Sequence, residues 1–83
     1  MSGGEISLQH LIEYLVKALV DEPDQVNITE VPQEDATTYE VRVAPGDLGK
    51  VIGKQGKTAA AMRTIIRAAG TKLNKRYHLD IVE

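Results

Sequence analysis

Apolar residues recur at helical spacing near the start of the chain. Ser7 is a suitable N-cap, and Ile6 and Leu11 have the spacing of a hydrophobic staple. Pro23 disfavours helical backbone in the residue before it. These features predict a first helix over about residues 7–21. Its apolar stripe comprises Leu8, Leu11, Ile12, Leu15, Val16, Leu19 and Val20.

Two apolar runs follow in which hydrophobic and polar residues alternate, the period of a half-buried strand. The polar segment 32–37 between them predicts a hairpin loop, and the acidic pair in it is most simply solvated. The pattern therefore predicts two consecutive strands. Their apolar positions are Val26, Ile28 and Val31 in the first, and Tyr39, Val41 and Val43 in the second.

A short helix is predicted next. Pro45 and Gly46 close the second strand, and Asp47 is a candidate N-cap. The apolar face is small, so we expect about two turns, ended by Gly53. The face consists of Leu48, Val51 and Ile52.

A longer helix and a final strand complete the pattern. Gly70 either ends the helix early or is tolerated inside it at a cost of about 1 kcal/mol. A basic connection then leads to a strand in which Tyr77, Leu79 and Ile81 alternate with polar residues. The buried stripe expected for the helix comprises Ala59, Met62, Ile65, Ile66, Ala69 and Leu73.

The predicted order is helix, strand, strand, helix, helix, strand. This order predicts an α+β fold, with a three-stranded sheet that carries three helices on one face around a single core. The chain of 83 residues has room for one domain. We expect that domain to cover residues 1–83, with residues 1–5 flexible.

Composition adds a charge asymmetry. The net charge is −2, but residues 1–45 carry nine acidic and two basic groups, whereas residues 46–83 carry eight basic and three acidic groups. The basic half could face a polyanion, or the two halves could be solvated surfaces of opposite sign. The absence of cysteine excludes disulfides and thiolate metal sites. No secretory signal or membrane span is recognisable, so a cytoplasmic protein without membrane contact is expected.

The segment Gly49 to Thr58, GKVIGKQGKT, carries the most chemical information. A P-loop would need its first glycine at position 51, and so would the dinucleotide fingerprint, but Val51 stands there. A helix precedes the segment, whereas both nucleotide motifs follow a strand. Both nucleotide-binding readings are therefore weak, and a Gly-x-x-Gly turn between two helices remains.

Such a turn suits a sugar-phosphate backbone. Glycine lets a phosphate approach the main chain, and the following helix directs its positive end at the loop. Lys54 and Lys57 add cationic donors, and Arg63 and Arg67 could extend the basic track. The alternative is that the glycines only permit a tight turn. That alternative explains the glycines but not the lysines around them, so a phosphate-binding loop is favoured.

The residues VIGKQG at 51–56, with a short helix before them and an alanine-rich helix after them, resemble the KH motif. In that family the loop clamps the backbone of four nucleotides. The element order resembles the type II arrangement, and residues 48–69 resemble the KhpA-type single-KH proteins of bacteria. The resemblance implies a groove for single-stranded RNA between the two helices and a sheet edge, in an RNA chaperone or post-transcriptional regulator. The RNA contacts it implies are Gly53, Lys54, Gln55 and Gly56, with Ile52, Lys50, Lys57, Thr58 and Arg63 beside them.

Several features moderate this expectation. The pI of about 5.6 and the lack of Phe and Trp predict weak, salt-sensitive binding. Ile52 could equally be buried beside Val51. His10 and His78 are far apart in sequence, and no nucleophile–base pair or metal-ligand cluster is recognisable. We therefore expect a non-enzyme with no cofactor and no metal.

The second hypothesis is a protein-interaction module. The resemblance implies self-association as a homodimer, and pairing with a larger KH-containing RNA-binding protein. Holding two weak grooves together would raise affinity through avidity. Ala60, Ala61 and Ala68 lie outside the buried stripe and would allow close helix contacts, although alanine is also simply a good helix former.

Overall fold

The computed structural model describes residues 7–82, and it confirms the predicted order of elements. The fold is α+β, with three α-helices and a three-stranded mixed sheet in this range. Three-residue 3₁₀ turns occupy 23–25, 45–47 and 54–56. The elements are α1 (Leu8–Leu19), β1 (Asn27–Pro32), β2 (Thr37–Arg42), α2 (Leu48–Ile52), α3 (Lys57–Lys72) and β3 (Tyr77–Ile81).

The sheet has the order β1-β2-β3. β1 and β2 form an antiparallel hairpin in which Ile28 lies opposite Val41. β3 runs parallel to β2 and places Leu79 beside Tyr39. A parallel neighbour requires a crossover connection, and here α2 and α3 provide it. The segment that joins these two helices is therefore part of the crossover.

The core lies between that face of the sheet and the helices. Every helix and every strand contributes to it, as the period-2 and period-3.6 patterns predict. Tyr39 is buried, and its hydroxyl donates to Glu30 on the neighbouring strand at 3.1 Å. Burial and this hydrogen bond raise the pKa of Tyr39 to about 12. The buried cluster consists of Ile12, Val16, Ile28, Tyr39, Val41, Val51, Met62, Ile66 and Leu79.

Some predicted boundaries and core positions are wrong. α1 ends at Leu19 rather than near residue 21, because Val20 already has extended backbone and Pro23 opens a 3₁₀ turn. Val43 lies beyond the end of β2. Ile65 and Leu73 are 48% and 59% exposed. A helix on a sheet buries only a narrow stripe, and these two residues fall outside it.

Gly70 lies inside α3 and is buried, so the helix does not end there. A Cβ at this position would lie 2.7 Å from the carbonyl oxygen of Lys75 and 3.0 Å from the ring of Tyr77. The Gly70 carbonyl accepts the amide of Lys75 at 2.8 Å. Glycine is therefore required because the chain folds back closely from α3 into β3.

The predictions for the first residues, including the staple partner Ile6, fall outside the described range. Ser7 precedes α1, and its carbonyl accepts the amide of Leu11 at 3.0 Å, but its side chain makes no capping hydrogen bond. Among residues 7–82, no helix is both long enough and apolar enough to cross a bilayer.

Candidate nucleic-acid interface

The segment between α2 and α3, residues 53–56, is called the clamp loop below. Gly53 ends α2, and its amide donates to the carbonyl of Gly49 at 2.8 Å. The backbone then has positive φ at three of four positions: +79° at Gly53, +58° at Gln55 and +74° at Gly56. Left-handed backbone at this density reverses the chain between two helices within a few residues.

The two glycines of the clamp loop are required for different reasons. A Cβ at Gly53 would collide with the side chain of Thr58 and lie 2.8 Å from its amide nitrogen. A Cβ at Gly56 would meet no atom within 4 Å, so only its positive φ favours glycine there. The tight-turn explanation therefore accounts for Gly53, while Gly56 faces open space that a ligand backbone can approach.

Polar and cationic side chains surround this open space. Lys54, Gln55 and Lys57 are exposed. Neither lysine belongs to an ion pair within residues 7–82. α3 begins at Lys57, so its amide groups and positive dipole end also face the clamp loop. The loop can thus bind an anionic group through backbone and side chains together.

The two apolar residues directly before the clamp loop differ in burial. Val51 is fully buried in the core, whereas Ile52 is 37% exposed. The adjacent positions point in different directions because successive residues of a helix are about 100° apart. Ile52 is therefore available as an apolar surface next to the loop, and its interpretation as a core residue is wrong.

Lys50 is held by acidic groups. Its ammonium lies 2.6 Å from a carboxylate oxygen of Asp21 and 3.3 Å from one of Asp47. These two partners raise the pKa of Lys50 against the effect of burial. Within residues 7–82, Lys50 is thus the only cation predicted to contact RNA that forms an ion pair.

Asp47 occupies the predicted N-cap position of α2, but its side chain has another role. It precedes α2, but its side chain makes no capping hydrogen bond to that helix. Instead its carboxylate, only 3% exposed, accepts the amides of Asp21 and Glu22 at 3.2 and 3.0 Å. Burial alone would raise the pKa of Asp47, but these amides and Lys50 outweigh it and lower the pKa. The spacing of three residues between Asp47 and Lys50 was the feature of the sequence that could have indicated their ion pair.

β3 is the edge of the sheet that lies next to α3. This strand pairs with β2 on one side only. The carbonyl of Arg76 and the amide of Val82 bond to β2, so the backbone groups of the alternating residues 77, 79 and 81 point to the open edge. Arg63 of α3 donates from Nε to the carbonyl of Leu79 at 3.3 Å. Arg63 therefore links α3 to the open edge of β3.

The other predicted residues take less specific positions. Thr58 lies in the first turn of α3, against Gly53, and Lys57 begins that helix. His10 and His78 are exposed on different elements. Residues 52–58 thus lie together at the clamp loop, Arg63 lies against the edge of β3, and Lys50 is bound to Asp21 just after α1.

Comparison with known proteins identifies close relatives. The KhpA/KhpB KH-domain family matches residues 9–81. Proteins named RNA-binding protein KhpA are 49% identical in Clostridium acetobutylicum, over 90% of this chain and all of the relative, and 48% identical in Aquifex aeolicus, over 93% and 98%. The relative of that name in Borreliella burgdorferi is 42% identical over 98% of this chain and 95% of its own. These names describe RNA-binding proteins, in agreement with the expectation of a non-enzyme. No solved structure matches the chain significantly.

Proposed function

The chain belongs to the KhpA/KhpB KH-domain family, and from this we propose that it binds single-stranded RNA through the clamp loop. The observation that carries the proposal is the exposed loop with positive φ at Gly53 and Gly56, together with the cations Lys54 and Lys57, which form no ion pair within the described range 7–82. The names of the relatives, each an RNA-binding protein, support the same ligand.

In this proposal each part of the site has one role. The clamp loop and the start of α3 bind the phosphate backbone, because glycine admits close approach and Lys54 and Lys57 supply charge. Ile52 offers an apolar surface to a base. The open edge of β3 offers donors and acceptors to base edges, and Arg63 lies between the two walls. Lys50 contributes mainly by holding α2 in place.

The test is the double variant Lys54→Asp with Gln55→Asp. We expect it to lose at least tenfold in affinity for labelled single-stranded RNA, since two new negative charges face the phosphates. A matched control, Lys72→Asp with Gln25→Asp, makes the same change of charge at exposed positions away from the loop. Circular dichroism checks that both variants stay folded. Equal RNA affinity of the loop variant and the parent contradicts the proposal.

The wider role follows from this binding. We propose a single KH domain over the whole chain, acting in the bacterial cytoplasm as an RNA chaperone or post-transcriptional regulator. Weak binding to backbone and base edges, without aromatic stacking, suits a protein that must release RNA again. Crosslinking to RNA in cells, followed by sequencing of the fragments, tests this role. Recovery of no RNA above that of the loop variant would contradict it.

A second candidate function is association with another protein chain. Ala61, Ile65 and Ala68 recur at spacings of four and three on α3 and are exposed, so they form one small apolar face. We call it the alanine face. Ala60 is also exposed but shares its side of the helix with Arg63 and not with this face. The alanine face favours close helix packing, in a homodimer or with a larger KH-containing partner.

Sedimentation equilibrium of the purified chain tests the homodimer. We expect concentration-dependent dimerisation that Ile65→Asp abolishes, because a carboxylate would be buried without a partner. Leu73→Asp is the matched control, since Leu73 is exposed but outside the alanine face. A parent chain that remains monomeric at the highest concentration contradicts the homodimer. A dimer without RNA affinity would favour the interaction module over the RNA clamp.

A further inference from the structure

An open cleft of about 1000 Å³ lies at the C-terminal end of α3, the opposite end from the clamp loop. One wall is the loop between β1 and β2, residues 33–37. The other wall is formed by Arg67 and Thr71 of α3 and by residues 74–78, which lead into β3. We call it the hairpin cleft. It shares Tyr77, at the start of the β3 edge, with the surface assigned above to the RNA clamp, but none of the residues of the clamp loop.

The hairpin cleft carries charges of both signs. Glu34 and Asp35 lie on the hairpin wall, and Arg67, Lys75 and Arg76 on the other, all of them exposed. Within residues 7–82, none of these five residues takes part in an ion pair. The charges do not neutralise one another across the cleft. They are therefore available to a ligand that combines an anionic group with hydrogen-bond donors.

Arg67 connects this cleft with the surface at Arg63 and the β3 edge that is proposed above to contact RNA. Arg63, one turn earlier, donates to the Leu79 carbonyl at the edge of β3, so both arginines lie on the same side of α3. α3 is 16 residues long, which corresponds to about 24 Å. A stacked strand advances about 3.4 Å per nucleotide, so about seven nucleotides, or fewer if extended, reach from one end of α3 to the other.

We propose that the hairpin cleft is a second RNA subsite, which binds nucleotides of the strand beyond those held by the clamp loop. This inference rests on the proposed function. A nucleotide has the required chemistry: its phosphate pairs with Arg67, Lys75 or Arg76, and an exocyclic amino group of its base donates to Glu34 or Asp35. Cytosine, adenine and guanine carry such a group and uracil does not, so the subsite favours amino-bearing bases. Continuity with the proposed RNA surface, through Arg63 and Arg67 on the same side of α3, favours RNA over a protein segment as the occupant.

The first test compares two single-charge variants with cytidine oligomers of about 4 and about 12 nucleotides, measured by fluorescence anisotropy. Arg76→Gln is expected to weaken binding of the long oligomer about three- to tenfold and to leave the short one unchanged. Lys72→Gln removes the same charge from the last turn of α3, but Lys72 does not line the cleft. It is expected to change both affinities less than about twofold. A long oligomer can bind in several registers, which raises its apparent affinity. The number of registers is the same for both variants, so it does not affect their comparison.

Three outcomes would overturn the subsite. Equal losses of affinity for the long oligomer in Arg76→Gln and Lys72→Gln would show only a long-range effect of charge. An unchanged affinity for the long oligomer in Arg76→Gln would show that Arg76 does not contact the RNA. A loss of self-association in Arg76→Gln, without loss of RNA affinity, would make the cleft a protein contact. A parent chain that binds neither oligomer contradicts the proposed function itself. If the variant Lys54→Asp with Gln55→Asp loses RNA affinity and Arg76→Gln does not, only the subsite is contradicted.

The second test concerns the carboxylates. The parent is expected to bind the long cytidine oligomer more tightly than the matching uridine oligomer. Glu34→Ala with Asp35→Ala should reduce this preference to less than about twofold, because no acceptor remains for the amino group. The control, Glu22→Ala with Asp24→Ala, removes two exposed carboxylates away from the cleft and should retain the preference. If the hairpin variant retains it as well, the carboxylates do not read the base.

Discussion

Different physical constraints determine which side chain each position of the clamp loop can carry. Gly53 is fixed by the protein itself, because its positive φ and the nearby Thr58 leave no space for a side chain. Gly56 has free space around it, and Lys54 and Gln55 extend into solvent. The loop therefore combines one residue required for folding with three that are free to serve a ligand.

This distinction predicts unequal effects of two similar substitutions. Gly53→Ala is expected to lower the free energy of unfolding by about 2–4 kcal/mol, through backbone strain and the collision with Thr58. Gly56→Ala is expected to cost about 1 kcal/mol, since only the left-handed backbone opposes it. Urea denaturation followed by circular dichroism measures both.

Gly49→Ala supplies the control for this pair. Gly49 lies inside α2, and a Cβ there would meet no atom within 4 Å. Alanine should therefore leave stability unchanged or raise it by up to about 1 kcal/mol. Equal destabilisation by Gly53→Ala and Gly56→Ala would contradict the role assigned to Thr58.

At the scale of elements, α2 is too short to hold its own position. It has five residues, and helices of that length are not stable by themselves. Val51 anchors it in the core, and the buried carboxylate of Asp47 ties its start to the amides that follow α1. Lys50 joins the same cluster from the next turn. The clamp loop is thus positioned by contacts between α2 and the end of α1, about 25 residues earlier in the chain.

We predict that Asp47→Asn destabilises the protein at neutral pH and weakens its pH dependence in acid. The folded protein lowers the pKa of Asp47, so its stabilising contribution is present above the unfolded value of about 3.9 and is lost as the pH falls through the lower folded value. The difference in stability between parent and variant should be constant above about pH 5 and should shrink at lower pH.

Urea denaturation midpoints measured from pH 7 down to pH 2 test this prediction. Asp24→Asn is a suitable control, because Asp24 is an exposed carboxylate of the same acidic segment and takes no part in the cluster. A difference between parent and Asp47→Asn that grows as the pH falls would contradict the assigned direction of the pKa.

At the scale of the whole molecule, opposite charges occupy different parts of the fold. Most of the acidic residues lie in the first half of the sequence, in α1, the hairpin and the turns between them. The basic half builds α2, the clamp loop, α3 and β3. A net charge of −2 therefore does not describe the field that a ligand would meet at the clamp loop.

This distribution predicts RNA binding that depends on salt despite the acidic pI. For two to four phosphate contacts, the logarithm of affinity should fall with the logarithm of salt concentration with a slope of about −1.4 to −2.8. Raising the salt from about 50 to about 200 mM should lower the affinity about 7- to 50-fold. Titration of labelled RNA at several salt concentrations gives the slope.

Lys54→Ala should reduce the magnitude of that slope by about 0.7, because one phosphate contact is removed. Lys72→Ala, which removes a charge at the far end of α3, should leave the slope unchanged. Binding that does not vary with salt would argue against phosphate contacts at the clamp loop.

The element order, the α+β fold and the position of the clamp loop could all be predicted from the sequence. This was possible because hydrophobic periodicity and glycine spacing are local properties, and each segment here is consistent with its own pattern. The residues of the Gly-x-x-Gly turn were identified for the same reason, since helix ends and positive φ depend on a few neighbouring residues.

The packing of the whole chain determines which apolar residues remain exposed and which charged residues form ion pairs. Ile52 and Ile65 fit a buried stripe as well as Val51 and Ile66 do, but only packing on the sheet determines which of them the core covers. The pairing of Lys50 with Asp21 joins residues 29 positions apart, and no local pattern indicates it. The open edge of β3 likewise depends on its parallel pairing with β2. These features depend on long-range contacts, so they become defined only when the whole chain has folded.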